Sequence, residues 1–195
     1  MAKSVEFFFD FVSPAAYLAY TQIRKVAGRA GGKLVWRPFL LGAVLQAAGN
    51  RSPIECAAKG RWMIGDLARF AERYGVEFNM SPHFPINTLP LMRGALIALE
   101  DGTFDQYADA VYKAIWVDSK NMSEPDVIGA VLSDAGLDAA HLFESTQRQD
   151  IKDKLKANTE EAVERGAFGA PTYFIDGEMH FGQDRLDFVE QALAA

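Results

Sequence analysis

One cysteine, Cys56, stands among 195 residues. A chain with a single thiol cannot form an internal disulfide, and the count suits a reducing compartment. Three histidines, His83, His141 and His180, are too scattered to suggest a metal centre. Basic residues number 20 against 26 acidic ones, a net charge of -6. That balance argues against nucleic acid and anionic membranes, both of which require a basic face. It leaves room for local cations that hold a small anionic ligand. No apolar run approaches the length of about 18 residues that a membrane span requires. The opening "MAKSVEFFFDF" lacks a basic segment followed by a sustained apolar stretch, so a secretory leader is not expected. Together these readings predict a cytoplasmic protein. Internal repeats, low-complexity segments, a glycine-rich phosphate loop and paired glycosidase-like carboxylates are also missing.

What is present is an α/β pattern at the two ends. "VEFFFDF" is apolar on both faces and reads as a buried strand. From Pro14 to about Arg29 the spacing of Leu18, Ile23 and Val26 predicts a helix, closed by Gly28, Gly31 and Gly32. "KLVWRPF" is a second strand ending at Pro38. Strand, helix and strand in this order predict a βαβ unit with parallel strands. From Leu41 to about Phe143 the pattern is helical almost throughout. Within it, "PIECAAKGRWMIGDLARFAERYG" reads as one long helix, and Ser123 reads as the cap of a helix with Pro125 in its first turn. Another helix runs to Gly166. "APTYFID", a turn at Asp176-Gly177 and "EMHF" predict a hairpin. A final helix follows, with Asp184 as its cap. Residues 1–40 and 144–195 are therefore expected to form one α/β domain, interrupted by a helical insertion at 41–143.

Two stretches invite chemistry. In "FFFDFVSPAAYLAY", Ser13 and Pro14 stand where a strand gives way to a helix. Serine is a preferred cap and proline suits the first helical position, so capping alone accounts for the pair. The same place carries the partial positive charge and free N–H groups of a helix start, which stabilise a thiolate. Positions 13 and 16 are Ser and Ala, so the chain supplies no thiol there. In "GAFGAPTYFI", Pro171 precedes a strand-like run. A turn or a cis bond at Ala170-Pro171 would explain it. Cys56, Trp62, Met63 and Trp116 read as core, although one of the larger side chains could wall a pocket.

Four stretches, "DFVSPAAYLA", "GNRSPIECAAKGRWMIGDLARFAERYGV", "AIWVDSKNMSEPDVI" and "TEEAVERGAFGAPTYFIDGEMHFGQDR", carry a resemblance that covers essentially the whole chain. The chain resembles the thioredoxin fold of DsbA-like proteins, and more narrowly the 2-hydroxychromene-2-carboxylate isomerase and kappa-class glutathione transferase family. The resemblance implies a glutathione-binding, thioredoxin-like domain with a large all-helical insertion. It implies that Ser13 donates to the glutathione sulfur. Ala170, beside a cis Pro171, would offer its main chain to the cysteinyl part. Asn50 and Lys59 would bind the tripeptide, with Lys59 suited to the glycyl carboxylate. Gln183 and Asp184 would hold the γ-glutamyl end, Asp184 facing its ammonium.

The resemblance also implies a small aromatic or conjugated carboxylate as the isomerase substrate, and a homodimer. The rivals are a kappa-like transferase and a non-catalytic DsbA-like binding protein. A thiol–disulfide oxidoreductase fits least, for want of a cysteine at 13 or 16. Departures from the family pattern are Ala15 and Ala16 after Ser-Pro, Phe181 preceded by His180, and Gln183. The two alanines imply a wider or greasier pocket beside Ser13, and Phe181 is expected to face the second substrate.

Overall fold

A computed structural model describes residues 2–195. Among them, four strands form one mixed sheet in the order β2-β1-β3-β4. β1 (Ser4–Phe9) and β2 (Lys33–Pro38) run parallel on either side of α1 (Pro14–Arg29), as the βαβ spacing predicts. β3 (Thr172–Ile175) is antiparallel to β1, and β4 (Glu178–Phe181) is antiparallel to β3. The β3–β4 turn has positive φ at both Asp176 and Gly177, the backbone that a two-residue hairpin requires. This is the thioredoxin-like arrangement that the resemblance implies.

β1 is apolar on both faces because both are covered. Val5, Phe7 and Phe9 point to one side, where Phe7 stacks on Tyr173 and Phe9 meets Phe11 and Phe104. Phe8 points to the other, against Phe39 and Phe174. Each fully buried phenylalanine contributes roughly 1.5–3 kcal/mol by leaving water. On that second face a lattice of Glu6, Arg37, Glu161 and Arg165 closes over Phe8 and Phe174.

Between β2 and β3 the chain is helical: α2 (Leu41–Ala47), α3 (Ala57–Tyr74), α4 (Leu89–Glu100), α5 (Phe104–Trp116), α6 (Pro125–Asp134), α7 (Ala139–Ser145) and α8 (Gln149–Glu164). This block grips the end of β1. The Trp116 indole N–H donates to the Phe11 carbonyl at 2.9 Å, and Tyr112 packs on Phe11 with ring centroids 4.7 Å apart. The loop that leads to Ser13 is thus held by residues a hundred positions away. A short 3-10 turn (Gln183–Arg185) and α9 (Leu186–Ala194) close the chain.

Four local readings are corrected. The helix expected from Pro53 is broken: Pro53–Glu55 form a 3-10 turn, and α3 starts only after Cys56, whose extended backbone interrupts the run. Ser123 is not a cap; Pro125 opens α6 from an extended Glu124. Asp184 is not the cap of α9, because it lies inside the 3-10 turn and α9 follows Arg185. Cys56 and Trp62 are not core. Cys56 is exposed and Trp62 is 65% exposed, since α3 buries only Gly60, Leu67 and Ala71. Trp116 is core, as expected.

Candidate active site

Ser13 both caps and presents a hydroxyl. It precedes α1 in an extended conformation, and its Oγ accepts the Ala16 N–H at 3.1 Å. Its own N–H donates to the Asp10 carbonyl, and its carbonyl accepts from Tyr17, each at 3.0 Å. The one proton left, on Oγ, is donated to the carbonyl of Ala170 at 3.2 Å. Ala170 is joined to Pro171 by a cis bond. The helix start and the segment before β3, 157 positions apart, therefore meet at this hydroxyl.

They meet on the wall of a cavity of about 1040 Å³. Asn50 and Lys59 line the same cavity, from the loop after α2 and from the first turn of α3. Asn50 shapes the rim: its Nδ2 donates to the Phe168 carbonyl at 2.8 Å, and its Oδ1 accepts the Arg51 N–H at 2.8 Å. Four of the predicted site residues, Ser13, Asn50, Lys59 and Ala170, are thus brought together. Pro171 lies behind Ala170, buried, and its carbonyl accepts the Gly182 N–H at 3.1 Å.

Gln183 and Asp184 do not line this cavity. Gln183 is only 5% exposed, and its main-chain carbonyl and side-chain Oε1 both lie within bonding reach of the Tyr74 hydroxyl, at 2.7 and 3.1 Å. Burial, with the Asp184 charge adding to it, pushes the Tyr74 phenol up to about 12. Asp184 is exposed and pairs with Arg185 at 3.2 Å. Gly182, with φ of +95°, turns the chain into this segment.

The two alanines have different places. Ala15 lines the cavity, whereas Ala16 is fully buried in the core and serves the site only through its N–H. The pocket beside Ser13 is therefore opened by Ala15 alone. Phe181 lines the cavity as expected and packs on Phe168, with ring centroids 4.5 Å apart. The remaining walls are largely apolar: Leu41 and Leu45 from α2, Met63 from α3, and Phe84, Pro85 and Ile86 from the loop before α4. His83 is exposed and lies off the cavity.

Sequence reasoning missed three residues of this wall. Cys56 lies on it, at the head of α3. Thr88 and Asp10 also lie on it, and both are buried. The signal for Asp10 was an acid directly after the apolar run Phe7–Phe9.

The model of the DsbA-like thioredoxin domain matches residues 4–194, and the chain belongs to that family. Within it, the chain is 32% identical to a 2-hydroxychromene-2-carboxylate isomerase of Sphingobium xenophagum, over 99% of both proteins. It is 27% identical to human glutathione S-transferase kappa 1, over 99% of this chain and 92% of the relative. A solved 2-hydroxychromene-2-carboxylate isomerase superposes with a TM-score of 0.87 at 27% identity, covering 97% of this chain and 94% of that one. These two relatives are thus an isomerase and a glutathione transferase. Among the described residues no helix is long and apolar enough to cross a membrane.

Proposed function

We propose that the protein is a glutathione-dependent isomerase acting on a small aromatic or conjugated carboxylate, as the isomerases it resembles do on 2-hydroxychromene-2-carboxylate. One observation carries this reading. A serine hydroxyl, a helix N-terminus and the main-chain carbonyl that accepts that hydroxyl converge on a cavity wall at a turn that has no cysteine. Glutathione, when bound, supplies the nucleophilic thiol that the turn lacks.

The residues fit a tripeptide of that kind. The Ser13 hydroxyl that rests on Ala170 is the donor available to a sulfur anion. The Ala16 N–H on Oγ and the dipole of α1 add to the same positive potential. The Ala170 carbonyl, relieved of that proton, accepts an amide N–H as a strand edge does. Lys59 takes a terminal carboxylate at the rim, and Asn50 holds the rim's shape. Asp184, exposed outside this cavity, takes the ammonium at the far end of the tripeptide, with the Gln183 backbone beside it. The apolar wall of Leu41, Leu45 and Phe84–Ile86 keeps water from the reacting atoms and receives the ring of the second substrate.

The likeness to a kappa-class transferase supports a second reading, release of a stable conjugate. The test is a glutathione titration by calorimetry on wild type and Ser13→Ala, followed by turnover of 2-hydroxychromene-2-carboxylate with free thiol counted. Turnover without thiol loss supports the isomerase. Thiol consumed with each turnover selects the transferase. No glutathione binding selects a non-catalytic DsbA-like binding protein.

A further inference from the structure

The proposed glutathione contacts leave Asp10 without a task. It sits just past β1, 2% exposed, on the cavity wall. A buried carboxylate without partners costs several kcal/mol, so its donors are required. They come from three separate stretches of chain. Oδ1 accepts the Val12 N–H at 3.1 Å and the Thr88 hydroxyl at 2.6 Å. Oδ2 accepts the Leu41 N–H at 2.9 Å.

One of these bonds replaces an ordinary cap, and another engages the residue before a helix. α2 starts after Leu40, which has no side-chain acceptor to offer; the Asp10 carboxylate caps it from outside, on the amide of its first residue. α4 starts after Thr88, whose side chain makes no cap bond and instead donates its hydroxyl proton to Asp10. Each tethered stretch carries a different wall. Val12 leads into Ser13, Leu41 opens the α2 wall, and Thr88 ends the loop that carries Phe84, Pro85 and Ile86.

We infer that Asp10 is a positioning residue: its carboxylate sets the distance between the Ser13 turn and the two apolar walls that receive the second substrate. This rests on the proposed glutathione site at Ser13. The Ser13 turn has bonds of its own, Ser13 N–H to the Asp10 main chain and Ala16 N–H to Ser13 Oγ, and neither uses the carboxylate. Loss of the carboxylate therefore releases the walls and the Val12 amide, and leaves the two bonds that hold Ser13 itself. An asparagine keeps the volume but presents an NH2 to at least one N–H or O–H that it cannot accept.

The test is Asp10→Asn, with Thr88→Val and Thr88→Ser as a second pair. Hydrogen exchange is read at the Val12 and Leu41 amides without ligand. Glutathione affinity and ultraviolet thiolate absorbance are read in the binary complex. Turnover is read with 2-hydroxychromene-2-carboxylate. Asp10→Asn is expected to expose the Leu41 or Val12 amide to faster exchange and to keep the affinity and the thiolate. Turnover is expected to fall by up to about 100-fold, as misplacement of reacting groups does. Thr88→Val is expected to lose turnover in the same selective way, and Thr88→Ser to restore it. Unchanged turnover, or a loss of glutathione affinity as large as the loss of turnover, overturns the inference. If Asp10→Asn does not fold, the Thr88 pair decides by the same criteria. If wild type binds no glutathione, the functional reading fails, and exchange at Val12 and Leu41 still decides whether the carboxylate holds those stretches.

Discussion

The Ser13 hydroxyl donates to the carbonyl of Ala170 at 3.2 Å, so the two groups proposed to meet glutathione occupy each other. A ligand that takes the hydroxyl's proton on sulfur leaves the carbonyl free for an amide N–H, and one exchange satisfies both. Ser13→Ala removes the donor and the acceptor of the Ala16 N–H together. Thiolate absorbance of the glutathione complex is expected to disappear. Turnover is expected to fall about 100-fold or more, the scale for one lost donor to a developing anion. Stability is expected to drop by about 1 kcal/mol from the lost cap, measured by urea unfolding.

Lys59 lies on the same cavity from the first turn of α3. If it holds the glycyl carboxylate, Lys59→Ala weakens glutathione by about tenfold, the lower end of a charge-assisted hydrogen bond. A glutathione analogue amidated at that carboxylate separates this from general loosening of α3. Wild type is expected to prefer glutathione over the amide, and Lys59→Ala to bind the two alike, both read by calorimetry. A variant that still discriminates removes Lys59 from the site.

The strands, the βαβ unit and the hairpin were legible because their residues alternate or run apolar at fixed lengths, and the Asp176-Gly177 pair marks its own turn. Ser13 and Ala170 were legible because a proline follows each. What the sequence hid were relations made only by tertiary contact. Cys56 reads as core beside an apolar helix, but the break at Pro53–Glu55 puts it on the cavity wall. Thr88 carries no signal of its own in the sequence, and its hydroxyl is found on Asp10, 78 positions away. Ala15 and Ala16 are identical neighbours in sequence, and a helix sends one to the cavity and the other to the core.

Cys56 gives a direct measure of occupancy. It is free, exposed and on the cavity wall, so a maleimide is expected to label wild type without denaturant. Saturation with S-methylglutathione, which cannot exchange disulfides, is expected to slow the labelling, as mass spectrometry of the intact protein would show. Equal rates with and without that ligand place glutathione elsewhere.

Tyr74 joins the end of α3 to the segment proposed for the γ-glutamyl group, its hydroxyl donating to the Gln183 carbonyl at 2.7 Å. Burial is the main cause of its raised phenol, followed by the Asp184 charge, and ionisation is pushed from 10 to about 12. A raised folded value favours the protonated form in the fold. Its contribution to stability is fully present below 10 and is lost as pH rises through about 12. Tyr74→Phe removes the bond at every pH, at a cost of about 1 kcal/mol. Urea unfolding at rising alkaline pH is thus expected to show the gap between wild type and Tyr74→Phe closing above pH 10. The tyrosinate absorbance of the folded protein is expected to differ between the two only near the upper end of that window. A Tyr74 contribution to the spectrum at its unperturbed value of 10 would show that the hydroxyl is open to water, and that Gln183 is held by something else.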